Sequence, residues 1–254
     1  MTAPSFTPEQ REAFLADGFI VVPGLADGVT RERILARARA DLAGEIAPVE
    51  YEAQLHYPGA PTSLDAPGGH TVRRLLQACA RDAAFRDWGT SPLIAGRLRQ
   101  LLGPQVGLAQ AHHNCVMTKQ PQYSSVTGWH QDVRYWAFER PELVSVWLAL
   151  GDETVENGAL SVIPGSHRID LEPGQLDRDL FLREDLAGNQ PLLARRLAVP
   201  LHAGDVLFFH CRTLHAAGAN RTPATKFSLV FTYHALDNAP RPGTRSASLP
   251  SIPL

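Results

Sequence analysis

The sequence predicts an α+β fold in which a helix-rich first part precedes a strand-built core. Up to residue 104 the chain carries helix-start signals (Thr7-Pro8, Ser91-Pro92) and helix-stop signals (Gly18, Gly103-Pro104) around apolar residues spaced three and four apart. From residue 105 the period changes to short β-rich runs bounded by Gly, Pro, Asn or Asp. Helices first and strands later place the chain in the α+β class.

Taken in order, Thr7 is the N-cap of a first helix, with Pro8 in its first turn and Gln10 placed to close a capping box. Gly18 ends it, and FIVVPGL reads as a strand stopping at Pro23-Gly24. A second helix is expected from about Thr30 to Ile46, with Ile34, Leu35, Ala38, Leu42 and Ile46 on one face. Residues 48–70 are rich in Pro, Gly and Ala and read as a long loop, either a lid or mobile filler. Helical patterns return over Val72 to Phe85 and from Ser91-Pro92 to Leu102. The strand candidates are VGLAQAHHNCVMTK, VSVWLALGD, GALSVIPGS, DVLFFH and KFSLVFTYH. The predicted organisation is one domain: helix-rich 1–104, core about 105–235, and a Pro- and Ser-rich tail, 238–254, extended over the surface.

Composition excludes several classes. With 24 Lys and Arg against 26 Asp and Glu, the formal charge of −2 offers no attraction to nucleic acid or an anionic membrane. No run approaches the ~20 apolar residues of a bilayer span, and the start lacks the basic and apolar regions of a secretory leader. Three widely spaced cysteines form no CxxC pair, so neither a disulfide framework nor a thiolate zinc site is expected. No coiled-coil heptad marks an obligate protein partner. The expected location is the cytoplasm.

Chemistry concentrates in TGWHQDVRYW. On a strand, His130 and Asp132 point to one face and Gln131 to the other. One imidazole and one carboxylate then converge, and a third ligand would complete a 2-His-1-carboxylate facial triad, the set that suits non-haem Fe(II). The pair alone equally fits a surface turn with a salt-bridged Asp. HAGDVLFFHCRTLHAAGAN offers two further histidines of opposite strand parity, His210 and His215. Small neighbours favour His215, but spacing alone leaves both open.

These stretches, with AFLADGFIVVPGL, KQP, Trp147, NGALSVIPGSH, GDVLFFH and LHAAGAN in this order, resemble the phytanoyl-CoA dioxygenase family over nearly the whole chain. The resemblance implies a double-stranded β-helix (jelly roll, cupin-like) core with the N-terminal helices packed on it. It also implies Fe(II), with 2-oxoglutarate and O2 as co-substrates. His130 and Asp132 match the family's H-x-D pair, and His215 its distal histidine, which selects His215 over His210. Oxidative decarboxylation to succinate and CO2, coupled to hydroxylation of a small-molecule substrate, is the implied reaction. Retention of Asp132 argues against halogenation, since no metal position is freed for halide.

Eleven residues after the distal histidine the family usually has Arg; here it is Lys226, which can neutralise the far carboxylate of 2-oxoglutarate without the bidentate fork. Ser228 shares the Lys226 face of its strand and is a second donor candidate. Arg221 is the fallback cation. Trp147 matches a tryptophan lining the co-substrate pocket, Arg74 a basic residue near the keto acid, and Cys115 a position where Met is common. A serine two residues after the distal histidine is replaced by Ala217. Trp129, Arg134, Tyr135, Trp136 and Arg212 are candidates for the substrate rim, and His167 for the pocket mouth. Two other classes share the pattern: a cupin-like metalloprotein with non-redox chemistry, and a degenerate ligand-binding or sensing jelly roll.

Overall fold

The structure is a computed structural model describing residues 5–254. It contains α1 (Pro8–Asp17), β1 (Phe19–Val22), α2 (Gly28–Ala43), β2 (Val49–Tyr51), β3 (Val72–Leu76), α3 (Ala78–Arg81), α4 (Ala83–Gly89) and α5 (Pro92–Leu102). There follow β4 (Val106–Leu108), β5 (Asn114–Lys119), β6 (Thr127–His130), β7 (Leu143–Ala149) and β8 (Leu160–Val162). The remainder is α6 (Gln190–Leu193), β9 (Leu197–Ala198), β10 (Val206–His210), β11 (His215–Ala217), β12 (Lys226–Ala235) and β13 (Ile252–Pro253).

The first helix starts as its sequence dictates. Thr7 accepts from Gln10 N, the Gln10 side chain returns the bond to Thr7 N, and Gly18 closes the end at φ 81°. Gly18 is required there twice over, because a Cβ would also fall 2.4 Å from His167 Nδ1. In α2, Ile34, Leu35 and Ala38 are buried as expected, whereas the helix ends at Ala43 and Ile46 is exposed.

Nine strands form one sheet, with main order β1-β10-β7-β12-β5-β3-β2; β4 pairs β12 and β13. A second sheet has the order β6-β11-β8-β9. Among the described residues every ladder is antiparallel, including Val230 opposite both Trp147 and Cys115 in the centre of the large sheet. Side-chain alternation then divides the interior. Val144, Val146 and Leu148 of β7, Val206 and Phe208 of β10, and Phe227, Leu229, Phe231 and Tyr233 of β12 pack with Ile34, Phe85, Trp88 and Leu98 of the helices. The opposite faces, with Trp147, Leu207, Phe209 and Val230, meet Leu160, Val162 and Ala217 of the smaller sheet. Burying several large side chains at roughly 1.5–3 kcal/mol each makes both layers strong determinants of register.

Two expectations are corrected, and a third gains detail. Val72–Leu76 is a strand, although Val72, Leu75, Leu76 and Cys79 have helical spacing; pairing with β5 at Arg74–Met117, Leu75–Val116 and Leu76–Cys115 overrides that pattern. Gln77, at φ 58°, then turns the chain into α3, so residues 5–104 hold three strands. The stretch 48–70 opens with β2 and a 3-10 turn, Glu52–Gln54, rather than being loop throughout. The tail runs over the surface and is also tied to the fold: β13 pairs β4, Ser251 bonds His234 Nε2 at 2.7 Å, and Ser246 bonds His112 Nε2 at 2.7 Å. Among the described residues, no helix is long and apolar enough to cross a membrane.

Candidate metal centre

His130 ends β6, and its register partner across the ladder is His215, the first residue of β11. This places the two imidazoles side by side, ring centroids 4.2 Å apart. Asp132 reaches them differently from the expected strand alternation: the chain leaves β6 at His130, and Asp132 opens a 3-10 turn, Asp132–Tyr135. Its Oδ1 lies 3.8 Å from His130 Nε2 and 3.6 Å from His215 Nε2. One donor atom from each of the three falls within 4.8 Å of the others, and all three residues are buried.

The surroundings leave these atoms free. His130 Nδ1 is 2.9 Å from Gly128 O and His215 Nδ1 is 3.0 Å from Thr213 O. A carbonyl only accepts, so each Nδ1 carries the proton and each Nε2 presents a lone pair. Burial, followed by the neighbouring His215, pushes His130 well below the usual imidazole range, so it stays neutral. Burial opposes ionisation of Asp132, but His113, His215, His130 and Arg74 outweigh it and hold the carboxyl below its ordinary value. Asp132 Oδ2 accepts from Ser145 Oγ at 3.3 Å and lies 3.5 Å from His113 Nδ1, whereas the buried Oδ1 has no partner. Two imidazole lone pairs and one orphaned carboxylate oxygen are the donor set of a divalent cation, and their chemistry fits Fe(II).

A cavity opens beside this cluster, lined by Trp147, Leu160, Phe209 and Ala217 and by Arg73, Lys119 and Thr127. Tyr57, from the 48–70 stretch, and Tyr135 also line it; their hydroxyls are 3.0 Å apart. Both residues continue into an outer cavity with Phe181 and Arg134. Arg134 stacks 3.8 Å from the Phe181 centroid and donates to Asp179 O at 2.7 Å. Arg74 lines the metal-side cavity, paired with Glu50 at 3.4 Å, and also borders a neighbouring one with Cys115, His113 and Arg245. Burial pushes the Cys115 thiol up to about 11, leaving it a neutral wall group.

Other candidates lie elsewhere. Lys226 and Ser228 are not among the cavity-lining residues: Lys226 Nζ is 2.8 Å from Glu153 Oε2, and Ser228 Oγ donates to Glu153 Oε1 at 2.6 Å. Trp147 Nε1 donates to the same carboxylate at 2.9 Å. Arg221 is exposed. Trp129 alternates away from His130 and packs with Ile163, Leu182, Leu193 and Leu214, so it is core rather than substrate rim. Trp136 is likewise buried, against Phe138 and Cys211. Arg212 is held by Ile169 O and Asp170, Gln131 Nε2 donates to Arg212 O, and none of these three side chains reaches the cavity. His210 accepts from Arg212 N and stacks with His167, whose Nε2 faces Leu15 O; neither joins the metal cluster or lines the cavity.

Several site residues carry no motif: His113, Arg73, Tyr57 and Glu153. Lys119 had a usable signal, since it shares strand parity with Cys115 and Met117 on β5.

Comparison with known proteins agrees with this geometry. The family model described as phytanoyl-CoA dioxygenase matches residues 14–228. Ectoine dioxygenase of Halomonas elongata is 27% identical over 245 residues, covering 90% of this chain and 70% of that one. Peroxisomal phytanoyl-CoA dioxygenase of Homo sapiens is 25% identical over 242 residues, covering 91% and 69%. Among solved structures, the epimerase SnoN in complex with Fe3+, alpha ketoglutarate and nogalamycin RO superposes with a TM-score of 0.75 at 26% identity, covering 97% of this chain and 94% of that one. EctD from S. alaskensis with 2-oxoglutarate and 5-hydroxyectoine gives a TM-score of 0.78 at 22% identity, covering 99% and 86%, a likeness of fold.

Proposed function

The chain belongs to the phytanoyl-CoA dioxygenase family, and on that premise we propose that His130 Nε2, Asp132 Oδ1 and His215 Nε2 hold the iron of an Fe(II)- and 2-oxoglutarate-dependent dioxygenase acting on a small molecule. The observation that carries the site assignment is the orphaned Asp132 Oδ1 facing two imidazole lone pairs. The two antiparallel sheets, with an apolar layer between them, support the reading of the core as a double-stranded β-helix in a single oxygenase domain.

Iron with 2-oxoglutarate and O2 supplies the oxidising chemistry, the keto acid leaving as succinate and CO2 and the substrate being hydroxylated. The protein's part is binding, orientation and exclusion of water. Gly128 O and Thr213 O fix both imidazole tautomers, and Ser145 donates to the Asp132 carboxylate. Trp147, Leu160 and Ala217 give the keto acid an apolar wall. Tyr57, Tyr135 and Phe181 lie where a substrate would enter, so the 48–70 stretch forms one side of the entrance.

Anaerobic addition of Fe(II) and then 2-oxoglutarate tests this reading. A weak visible charge-transfer band and a heat of binding are expected for the parent chain and are expected to vanish in Asp132→Ala. Absence of both signals in the parent chain would exclude it. Succinate release stimulated by candidate metabolites then identifies the substrate.

A further inference from the structure

We infer that the far carboxylate of 2-oxoglutarate is held in this chain by Lys119 on β5, assisted by Thr127 and Arg73, and not by Lys226. The inference rests on the dioxygenase reading above and concerns which cation completes it.

Lys226 is already occupied. Glu153 places one carboxylate against Lys226 Nζ at 2.8 Å, Ser228 Oγ at 2.6 Å and Trp147 Nε1 at 2.9 Å. That carboxylate takes the donors that Lys226, Ser228 and Trp147 would otherwise offer an incoming dianion. The pair is 3% and 0% exposed, so separating it would strand a buried charge.

Lys119 sits directly opposite Lys226 in the β5–β12 ladder, yet it lines the metal-side cavity and Lys226 does not. Its hydrogen bond goes to a backbone carbonyl, Ser125 O, at 2.8 Å, and among the described residues no carboxylate lies within ion-pair distance. The neighbouring Arg73 is paired with Glu52 at 3.2 Å. Five buried charges therefore meet at this end of the site. Three are positive (Arg73, Lys119, Lys226), two are negative (Glu52, Glu153), and the excess is one positive charge. A buried ammonium without a counter-ion is costly, and one carboxylate balances it.

Further donors converge there. Arg73 Nη2 donates to Thr127 Oγ1 at 2.9 Å, which leaves the Thr127 hydroxyl proton free to donate. Arg73 Nε is buried without a partner. The space for the lysine stem is also built: Gly158, at φ 83°, lies where a Cβ would come within 2.7 Å of Lys119 Cδ. Metal ligands and Lys119 line the same cavity, as a bound keto acid with a charged far end requires.

The test uses the Fe(II)-loaded protein without O2, titrated by calorimetry with 2-oxoglutarate and with pyruvate, which keeps the chelating keto acid and lacks the far carboxylate. Lys119→Met is expected to weaken 2-oxoglutarate binding by roughly 30-fold or more, the effect of deleting one partner of a buried charge pair. Pyruvate and Fe(II) affinities should stay unchanged. Because it removes an uncompensated buried charge, Lys119→Met should also keep or raise the melting temperature. Lys119→Gln serves if the methionine variant does not fold. Unchanged 2-oxoglutarate affinity in these variants would overturn the inference, as would its loss in the charge-neutral double variant Lys226→Met, Glu153→Gln. Failure of the parent chain to bind either keto acid would instead remove the dioxygenase reading on which this one rests.

Discussion

At the scale of single residues, the site separates groups held neutral from groups held charged. His130 is kept neutral by burial, while Asp132 is kept ionised by the imidazoles and guanidinium around it. Lys119 lies between these cases. Burial, then Arg73 and Lys226, push its ammonium down to about 7, against the opposing pull of Glu52 and Glu153. An unfolded lysine keeps its proton to higher pH. This group therefore penalises folding below about pH 7, and the penalty is relieved as pH rises from there toward the ordinary lysine value. Binding of a carboxylate has the opposite dependence, since it requires the proton. Affinity for 2-oxoglutarate, measured by calorimetry on the Fe(II)-loaded chain, is expected to fall above pH 7 with a slope approaching about tenfold per unit. In Lys119→Arg, whose charge does not titrate, that slope should flatten. The triad was legible in the sequence because H-x-D and LHAAGAN are local patterns. Glu153 was not: its role depends on a side chain 73 positions away, and nothing near DETVENG announces it.

At the scale of elements, the segment joining β11 to β12 sets where Lys119 ends. Asn220 is buried there, its Nδ2 donating to Lys119 O and Ala224 O at 2.8 Å each and its Oδ1 accepting from Thr222 N at 2.9 Å. Asn220→Ala leaves these backbone groups unpaired and is expected to cost about 2–4 kcal/mol, read from the urea midpoint. A several-fold weaker 2-oxoglutarate affinity should accompany it, because the end of β5 loses its tether. The elements most readable from sequence were those with chemical punctuation, such as α1 with Thr7, Pro8, Gln10 and Gly18. The least readable was β3, where Val72, Leu75 and Leu76 satisfy both periods and only the long-range partner β5 decides. Asp132 likewise arrives by a 3-10 turn rather than a continued strand, so the spacing led to the right residues through a different local geometry.

At the scale of the whole molecule, the tail closes an exposed side of the large sheet. Leu254 N donates to Val106 O at 3.0 Å, Gln110 to Pro250 O at 2.7 Å, and Ser251 meets His234 at 2.7 Å. Deleting residues 248–254 removes these three bonds together with the Arg99–Leu254 O bond and the β13–β4 pairing, a loss of at least about 3 kcal/mol at ~1 kcal/mol each. For a chain of this size the melting temperature should fall by roughly 6–12 °C, while Fe(II) affinity is retained because the triad is untouched. A Pro- and Ser-rich composition gave no sign of this docking, which depends on backbone groups of β4 that the tail satisfies.

The order of the large sheet has a consequence for how the chain is made. Its two ends, β1 and β2, lie within the first 51 residues, whereas the central strand β12 spans Lys226–Ala235. During synthesis β2, β3 and β5 can pair as they emerge, whereas the apolar FIVV of β1 has no ladder partner until β10 follows. The large sheet can therefore be completed only after β12 joins its two halves. Until β10 is available, the β1 edge stays unpaired and its apolar side chains uncovered.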